Sequence, residues 1–216
     1  MQQVECIIFD CDNVLVDTET TMISVMLHLA RPYGATMELE EAVRLFSGRQ
    51  ILQTITMLEE HCGTAFPDDF EQQFRAEAYA EFRKGVKAIP GVKELLQGLK
   101  LPFCVASSGP REKIELNLGI AGLLHFFDPE RIFSSYEINS WKPDPGIFLH
   151  AAKIMGYAPA QCVVIEDSLA GVEAAVKGGF RVYGLTNGNN RQELNDKGAV
   201  VFEEMRQLPA LLKLTA

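Results

Sequence analysis

Hydrophobic positions along the chain fall into two textures. Residues 4–9 read Val-Glu-Cys-Ile-Ile-Phe, a short apolar run rich in β-branched side chains, and acids follow at once. Such a run predicts a strand buried on both faces that ends in a polar loop. From Thr18 to Lys84 the spacing is different. The stretches MISVMLHLARPYG, LEEAVRLFSG, QILQTITMLEEHCG and DDFEQQFRAEAYAEFRK carry apolar residues three and four apart, which predicts a succession of about four helices. That is more helix than one strand–helix–strand crossover needs.

A regular alternation begins after Pro90-Gly91. Helix VKELLQGL precedes strand FCVA, helix REKIELNL precedes a short strand in RIFSS, and helix PGIFLHAAKIMG precedes strand CVVIE. Helix LAGVEAAVKGG, strands RVYGL and AVVF and a closing helix near MRQLPALLKL complete the series. Strand–helix alternation of this kind specifies an α/β fold, a doubly wound parallel sheet with a Rossmann-like core. The run of helices makes an all-helical insert. The expected division assigns residues 1–15 and 90–216 to the α/β core and 16–89 to the insert. Linkers are expected near Leu15–Thr18 and Gly85–Pro90.

Composition sharpens this picture without changing it. A length of 216 residues suits one large domain or a core with a smaller insert. Hydrophobic residues make up 47% and charged residues 23%, an ordinary globular balance that argues against wholesale disorder. Acids outnumber Lys and Arg, 29 to 20, for a formal charge of −9; with no long basic run, nucleic acid is not the expected ligand. An anionic small molecule stays open, because one cation reverses the field inside a cleft. No apolar stretch approaches the ~20 residues that span a bilayer. The start, MQQVECIIFDCD, lacks the basic segment of a signal peptide. A cytoplasmic protein with no nucleic-acid or membrane partner, monomeric or weakly homo-oligomeric, is expected. The five cysteines contain no C-x-x-C and fit reduced, mostly buried thiols, and the four histidines form no metal-binding pair.

In open parallel sheets, ligands bind beyond the carboxyl ends of the strands, and there the chemistry collects. Asp10 and Asp12 follow the first strand, and Ser107, Ser108 and Gly109 follow FCVA. Trp141, Lys142, Pro143, Asp144 and Pro145 lie beyond RIFSS, and Glu166 and Asp167 follow CVVI. One acid pair alone says little, since aspartates commonly cap helices and shape turns. Four strand ends that bring carboxylates, hydroxyls and an ammonium to one edge say more. Clustered carboxylates repel unless a cation lies among them, and hard oxygen donors suit Mg²⁺. A carboxylate can attack phosphorus and carry the phosphoryl group, and a lysine with Mg²⁺ makes that attack on an anion feasible. A second carboxylate two residues along can protonate the departing alkoxide and later deprotonate water. Ser107, with helix-start N–H groups beyond it, is a ready phosphate cradle. Pro110 and Pro145 suit first helical positions, with Asp144 as an N-cap.

The segments DCDNVLVDTE, VASSGP, WKPDP and VVIEDSLAG resemble the four motifs of the haloacid dehalogenase superfamily, in order and at the usual spacing. The helical insert is similar to that family's four-helix cap of the β-phosphoglucomutase and sugar-phosphatase type, so the resemblance spans the chain. It implies Asp10 as nucleophile, Asp12 as general acid/base, Ser107 as phosphate-binding hydroxyl with Ser108 and Gly109 beside it, and Lys142 as the charge-stabilising lysine. It also implies Mg²⁺ held by Asp10, Asp167 and the backbone carbonyl of Asp12, with Glu166 bound directly or through water. Gly48 and Arg49 match the place of the family's substrate-specificity loop; an arginine starting a helix is otherwise a solvated charge. Glu19 can face a substrate or simply favour the helix dipole. Two positions depart from the pattern. Asn13 stands where Gly is usual, though Asn also tolerates a left-handed backbone, and Val14 replaces the commoner Thr.

Within that resemblance, a Mg²⁺-dependent phosphatase acting on a small phosphorylated metabolite leads. A phosphosugar mutase of the same fold is the alternative, but that group carries a histidine about where this chain has Met22. The second aspartate disfavours carbon–halogen cleavage, and Arg49 in place of a cap lysine disfavours phosphonate cleavage. A receiver-type signalling module loses on length and on the Asp-x-Asp spacing. WKPDP, VASSGP and the cap look most like phosphatases of the 6-phosphogluconate type, so a sugar phosphate or phospho-sugar acid is the expected substrate.

Overall fold

Strand β1 (Cys6–Phe9) runs through the centre of the fold, and all four of its residues are fully buried, as the unbroken apolar run predicts. The structure, a computed structural model, describes residues 4–46, 49, 51–186 and 188–213. After β1 come a two-residue strand β2 (Val16–Asp17) and helices α1 (Glu19–Ala30), α2 (Leu39–Phe46), α3 (Ile51–Cys62) and α4 (Phe70–Lys84). Strand β3 (Lys87–Ala88) then pairs antiparallel with β2, Val16 against Ala88 and Asp17 against Lys87. The chain continues through α5 (Val92–Gly98), β4 (Phe103–Ser107), α6 (Arg111–Ile120), β5 (Ile132–Ser134), α7 (Ser135–Ile138) and α8 (Gly146–Met155). It closes with β6 (Cys162–Glu166), α9 (Leu169–Lys177), β7 (Arg181–Leu185), α10 (Arg191–Asp196), β8 (Val200–Phe202) and α11 (Leu208–Leu211).

Six strands form one parallel sheet in the order β5-β4-β1-β6-β7-β8. The order steps outward from β1 in both directions, the signature of a doubly wound sheet, and the crevice where it reverses lies at the end of β1. Successive side chains of a strand point to opposite faces. Thus Ile7, Phe9, Val105, Val163 and Ile165 join one apolar cluster, while Cys6, Ile8, Cys104, Ala106 and Val164 join another. The first cluster passes through Val14, Leu15 and Val16 into Phe74, Ala78 and Phe82 of α4. Helices and sheet therefore share one core. Inside the insert, Leu58 and Phe74 are fully buried, and Phe66 stacks on Phe70 at 4.4 Å. Each such burial contributes about 1.5–3 kcal/mol.

Four elements depart from the hydrophobic pattern, among them α7, a four-residue helix capped by Ser134 where the sequence suggests only a strand in RIFSS. The β2–β3 ribbon is too short to leave a period in the sequence. Helix α10 separates β7 from β8, where the sequence suggests two strands in succession. The closing helix is a 3₁₀ turn (Met205–Gln207) followed by the four residues of α11. Pro209 sits at the start of α11, and a proline ring cannot be accommodated inside a continuous helix. Pro110 and Pro145 each stand one place before the first helical residue rather than on it. Asp144 still serves the helix start, its carboxylate accepting the Gly146 N–H at 2.8 Å. No helix among the described residues is long and apolar enough to cross a membrane.

Candidate active site

The site begins where β1 ends. The Asp10 N–H bonds the Ile165 carbonyl at 2.9 Å, so the ladder carries the aspartate to the lip of the sheet, 7% exposed. Lys142 reaches it from the loop before α8, its Nζ donating to Asp10 Oδ1 at 2.5 Å and also to Glu166 Oε1. Glu166 is wholly buried. Its second oxygen accepts the N–H groups of Asp167 and Ser168, both at 2.9 Å, and the Ser168 hydroxyl at 3.0 Å. Gly171 makes room for it: a β-carbon there would lie 1.9 Å from the Glu166 carboxyl carbon. One carboxylate oxygen each from Asp10, Glu166 and Asp167 lie within 4.8 Å of one another.

Three carboxylates against one ammonium leave surplus negative charge in a dry place. Burial, then the charges of Glu166 and Asp12, push Asp10 up to about 7, against the pull of Lys142. Burial and the neighbouring Glu166 and Asp10 push Asp167 well above the carboxylate range. Burial alone would lower Lys142, but Asp10 and Glu166 together hold it above its ordinary value. Convergent hard oxygens with unbalanced charge are the donor set that a divalent cation such as Mg²⁺ neutralises. The residues fit the ion.

Asp12, two residues on, lives in a different environment. Lys113 Nζ donates to its Oδ2 at 2.6 Å, and the buried Thr18 hydroxyl donates to its Oδ1 at 3.1 Å. Burial pulls Lys113 down, yet the Asp12 carboxylate outweighs it and keeps the ammonium above its usual pKa. Asn13 adopts φ +58°, the left-handed turn expected of it. Its side-chain oxygen accepts the Glu19 N–H at 2.9 Å, which opens α1; glycine could not do this. Val14 is fully buried in the apolar cluster, where its methyls need no hydrogen-bond partner.

Ser107, at the end of β4, is 2% exposed and accepts the Gly109 N–H at 3.1 Å. Ser134 donates to the Gly109 carbonyl at 2.7 Å, which pins the Ser108–Gly109 turn. Beside Asp167 a cavity of about 610 Å³ opens between the insert and the sheet edge, lined by Asn13, Glu19, Val43 and Thr186 among others. Arg49 is exposed, and its Nε donates to the Leu45 carbonyl at 2.7 Å at the end of α2. Gly48 lies outside the described residues.

Several participants carry no motif. Lys113 shows in sequence only as a third-position residue of an ordinary amphipathic helix. Thr18 lies in the expected linker. Asn190, from the loop after β7, donates to the Asp167 carbonyl at 2.8 Å and accepts from Thr186, also at 2.8 Å, bracing the acidic loop. Gly171 is legible only once its clash with Glu166 is known.

A family model described as haloacid dehalogenase-like hydrolase matches residues 7–185. The chain belongs to that family, and it is a phosphoric monoester hydrolase. It is 32% identical over 214 residues to the 6-phosphogluconate phosphatase of Escherichia coli, covering 99% of this chain and 96% of that one. It is 30% identical to a phosphorylated carbohydrates phosphatase of Thermotoga maritima, covering 97% and 98%. Among solved structures it resembles a haloacid dehalogenase-like protein of unknown function from Agrobacterium tumefaciens, with TM-score 0.87, 30% identity and coverage of 97% and 98%.

Proposed function

We propose that the protein hydrolyses a small phosphorylated metabolite, a sugar phosphate or phospho-sugar acid, through an aspartyl-phosphate on Asp10. The observation that carries this reading is the separation of the two aspartates. Asp10 is buried beside Lys142 and Asp12 is held at the insert's edge by Lys113 and Thr18, so two carboxylates have two environments and two roles. Asp10 attacks phosphorus, the bond to the leaving oxygen breaks, and Asp12 delivers the proton that oxygen needs. Asp12 then takes a proton from the water that attacks the aspartyl-phosphate and frees inorganic phosphate. Ser107 and the N–H groups beyond it cradle the phosphoryl oxygens, and Lys142 balances their charge. Asp10, Asp167, the Asp12 carbonyl and Glu166, directly or through water, would hold Mg²⁺, which supplies charge neutralisation for the transferring group.

In this reading residues 1–15 and 90–216 perform the chemistry, and residues 16–89 form a cap that recognises the leaving group. The cavity beside Asp167 carries Asp17, Glu19 and Glu203, acceptors suited to the hydroxyls of a sugar. The Escherichia coli relative suggests 6-phosphogluconate as the first compound to try. A mutase would return the phosphoryl group to a sugar; here Met22 packs into the apolar cluster at the place where the resemblance expects that group's histidine. The cytoplasm, as monomer or weak homo-oligomer, is the proposed setting. The deciding experiment is phosphate release across a panel of phosphorylated metabolites with Mg²⁺, then EDTA. Reversible loss of release with EDTA supports the reading; release unaffected by Asp10→Asn would falsify it.

A further inference from the structure

We propose that Lys113 is a positioning residue, which sets the Asp12 carboxylate in place and ties that placement to the docking of α4. This rests on the reading of Asp12 as the acid/base. Both Asp12 oxygens are held, Oδ1 by Thr18 at the mouth of the insert and Oδ2 by Lys113 from the core. The Lys113 side chain is 14% exposed, so the contact is not one of the solvated surface pairs that contribute little. Two neighbours fix its path. Its Cδ lies 3.4 Å from the point where a β-carbon on Gly109 would sit, so the phosphate-side turn packs along the aliphatic stem. Its ammonium lies over the Phe82 ring of α4, 5.6 Å from the centroid, a favourable cation–π distance.

Helix α4 thus covers the lysine, and the lysine holds the acid. Lys142 supplies the cation beside Asp10, whereas among the described residues the ion pair of Lys113 is with the second aspartate. A carboxylate gripped at both oxygens cannot swing toward solvent, and proton transfer to a leaving oxygen requires it in one place. Misplacing such a group by an ångström costs up to about a hundredfold in rate.

The test is a leaving-group comparison with p-nitrophenyl phosphate, whose phenolate leaves without help, and phenyl phosphate, whose phenolate is far more basic. Lys113→Met keeps the stem and its packing on Phe82; Lys113→Gln is made beside it, and thermal melting confirms that either is folded. Lys113→Met is expected to lower the burst-phase phosphorylation rate about tenfold or more for phenyl phosphate and less than about twofold for p-nitrophenyl phosphate; hydrolysis of the shared aspartyl-phosphate slows alike from either substrate. Inhibition by inorganic phosphate should stay unchanged. Lys113→Arg should restore most of the loss, and adding Lys113→Met to Asp12→Asn should cost nothing further. Equal slowing of the burst phase with both substrates means a structural role and overturns the proposal. So does weaker phosphate inhibition at an unchanged burst rate, which would make Lys113 a phosphate ligand, and so does no effect at all. If Asp12→Asn itself spares phenyl phosphate, the acid/base reading has failed and the proposal falls with it. If Asp12→Asn slows phenyl phosphate and Lys113→Met does not, only the proposal falls.

Discussion

The sheet edge and the helical insert are held together in opposite ways. At the edge, charged groups are buried and partnered: Glu166 is fully buried with both oxygens bonded, and Lys142 is 6% exposed between two carboxylates. In the insert, the charged pairs lie outside. Arg75–Glu71 and Lys84–Glu81 are exposed neighbours on α4, and cohesion comes from Leu58, Phe66, Phe70 and Phe74. Removing one partner from a buried pair strands a charge and costs about 3–5 kcal/mol, whereas an exposed pair contributes roughly 0–1 kcal/mol. The edge therefore tolerates almost no change of residue type, while the insert asks mainly for apolar volume and leaves its outer surface free. A fold so divided can keep one chemistry and vary what it recognises.

Four changes would break or sharpen this contrast. Asp10→Asn is expected to lower turnover by on the order of 10⁴-fold or more, at least about 5 kcal/mol of barrier, with the circular dichroism spectrum unchanged. Phe74→Ala tests the opposite pole. Loss of a fully buried ring should lower unfolding free energy by about 3–5 kcal/mol in urea titration. Turnover of p-nitrophenyl phosphate per folded molecule should stay within about threefold; a collapse of that turnover would show that the insert does more than recognise.

Gly171→Ala brings a methyl into the space of the Glu166 carboxylate and is expected to cost about 1–3 kcal/mol of stability. It should also raise the Mg²⁺ concentration for half-maximal activity, whereas a helix-propensity effect alone would stabilise α9 and leave the metal requirement as it was. The smallest effect belongs to Arg49→Ala. With its Nε engaged by the Leu45 carbonyl, the side chain is expected to contribute at most about tenfold in kcat/KM, ~1.4 kcal/mol. That loss should be confined to substrates with a distal acid group; equal slowing of p-nitrophenyl phosphate would remove Arg49 from recognition.

How much of this was legible in the sequence follows the same division. The central strands β1, β4 and β6 were legible because their buried residues read as apolar runs, the outer strands because they alternate with helices, and the strand-end residues because a parallel sheet gathers them at one edge. Asp10, Lys142, Glu166 and Asp167 come together as that rule requires. Lys113 was not legible, because a lysine in the first turn of a helix is ordinarily solvated, and its burial depends on Phe82 arriving from another part of the chain. The β2–β3 ribbon and α10 are too short for a period to show, and Pro209 interrupts a hydrophobic pattern that otherwise reads as one helix. Asn190 acts through a hydrogen bond to backbone, and no spacing rule selects it.

The β2–β3 ribbon also bears on the order in which the chain assembles. Ile8 of β1 pairs with Cys104, about a hundred residues later, so the central ladder is a distant contact that slows the search for the native state. The helices between them pack on one another, α1 against both α2 and α4, over shorter sequence separations than the β1–β4 ladder, and can form earlier. Once they have done so, the pairing of Asp17 with Lys87 brings the two ends of the insert together. The remaining search then spans about two dozen residues, from β1 to Asp17 and from Lys87 through α5 to β4, and loop-closure entropy falls accordingly. The insert acts as a splint for the sheet it interrupts. Weakening it with Phe74→Ala should therefore slow refolding in a stopped-flow trace, and not merely hasten unfolding.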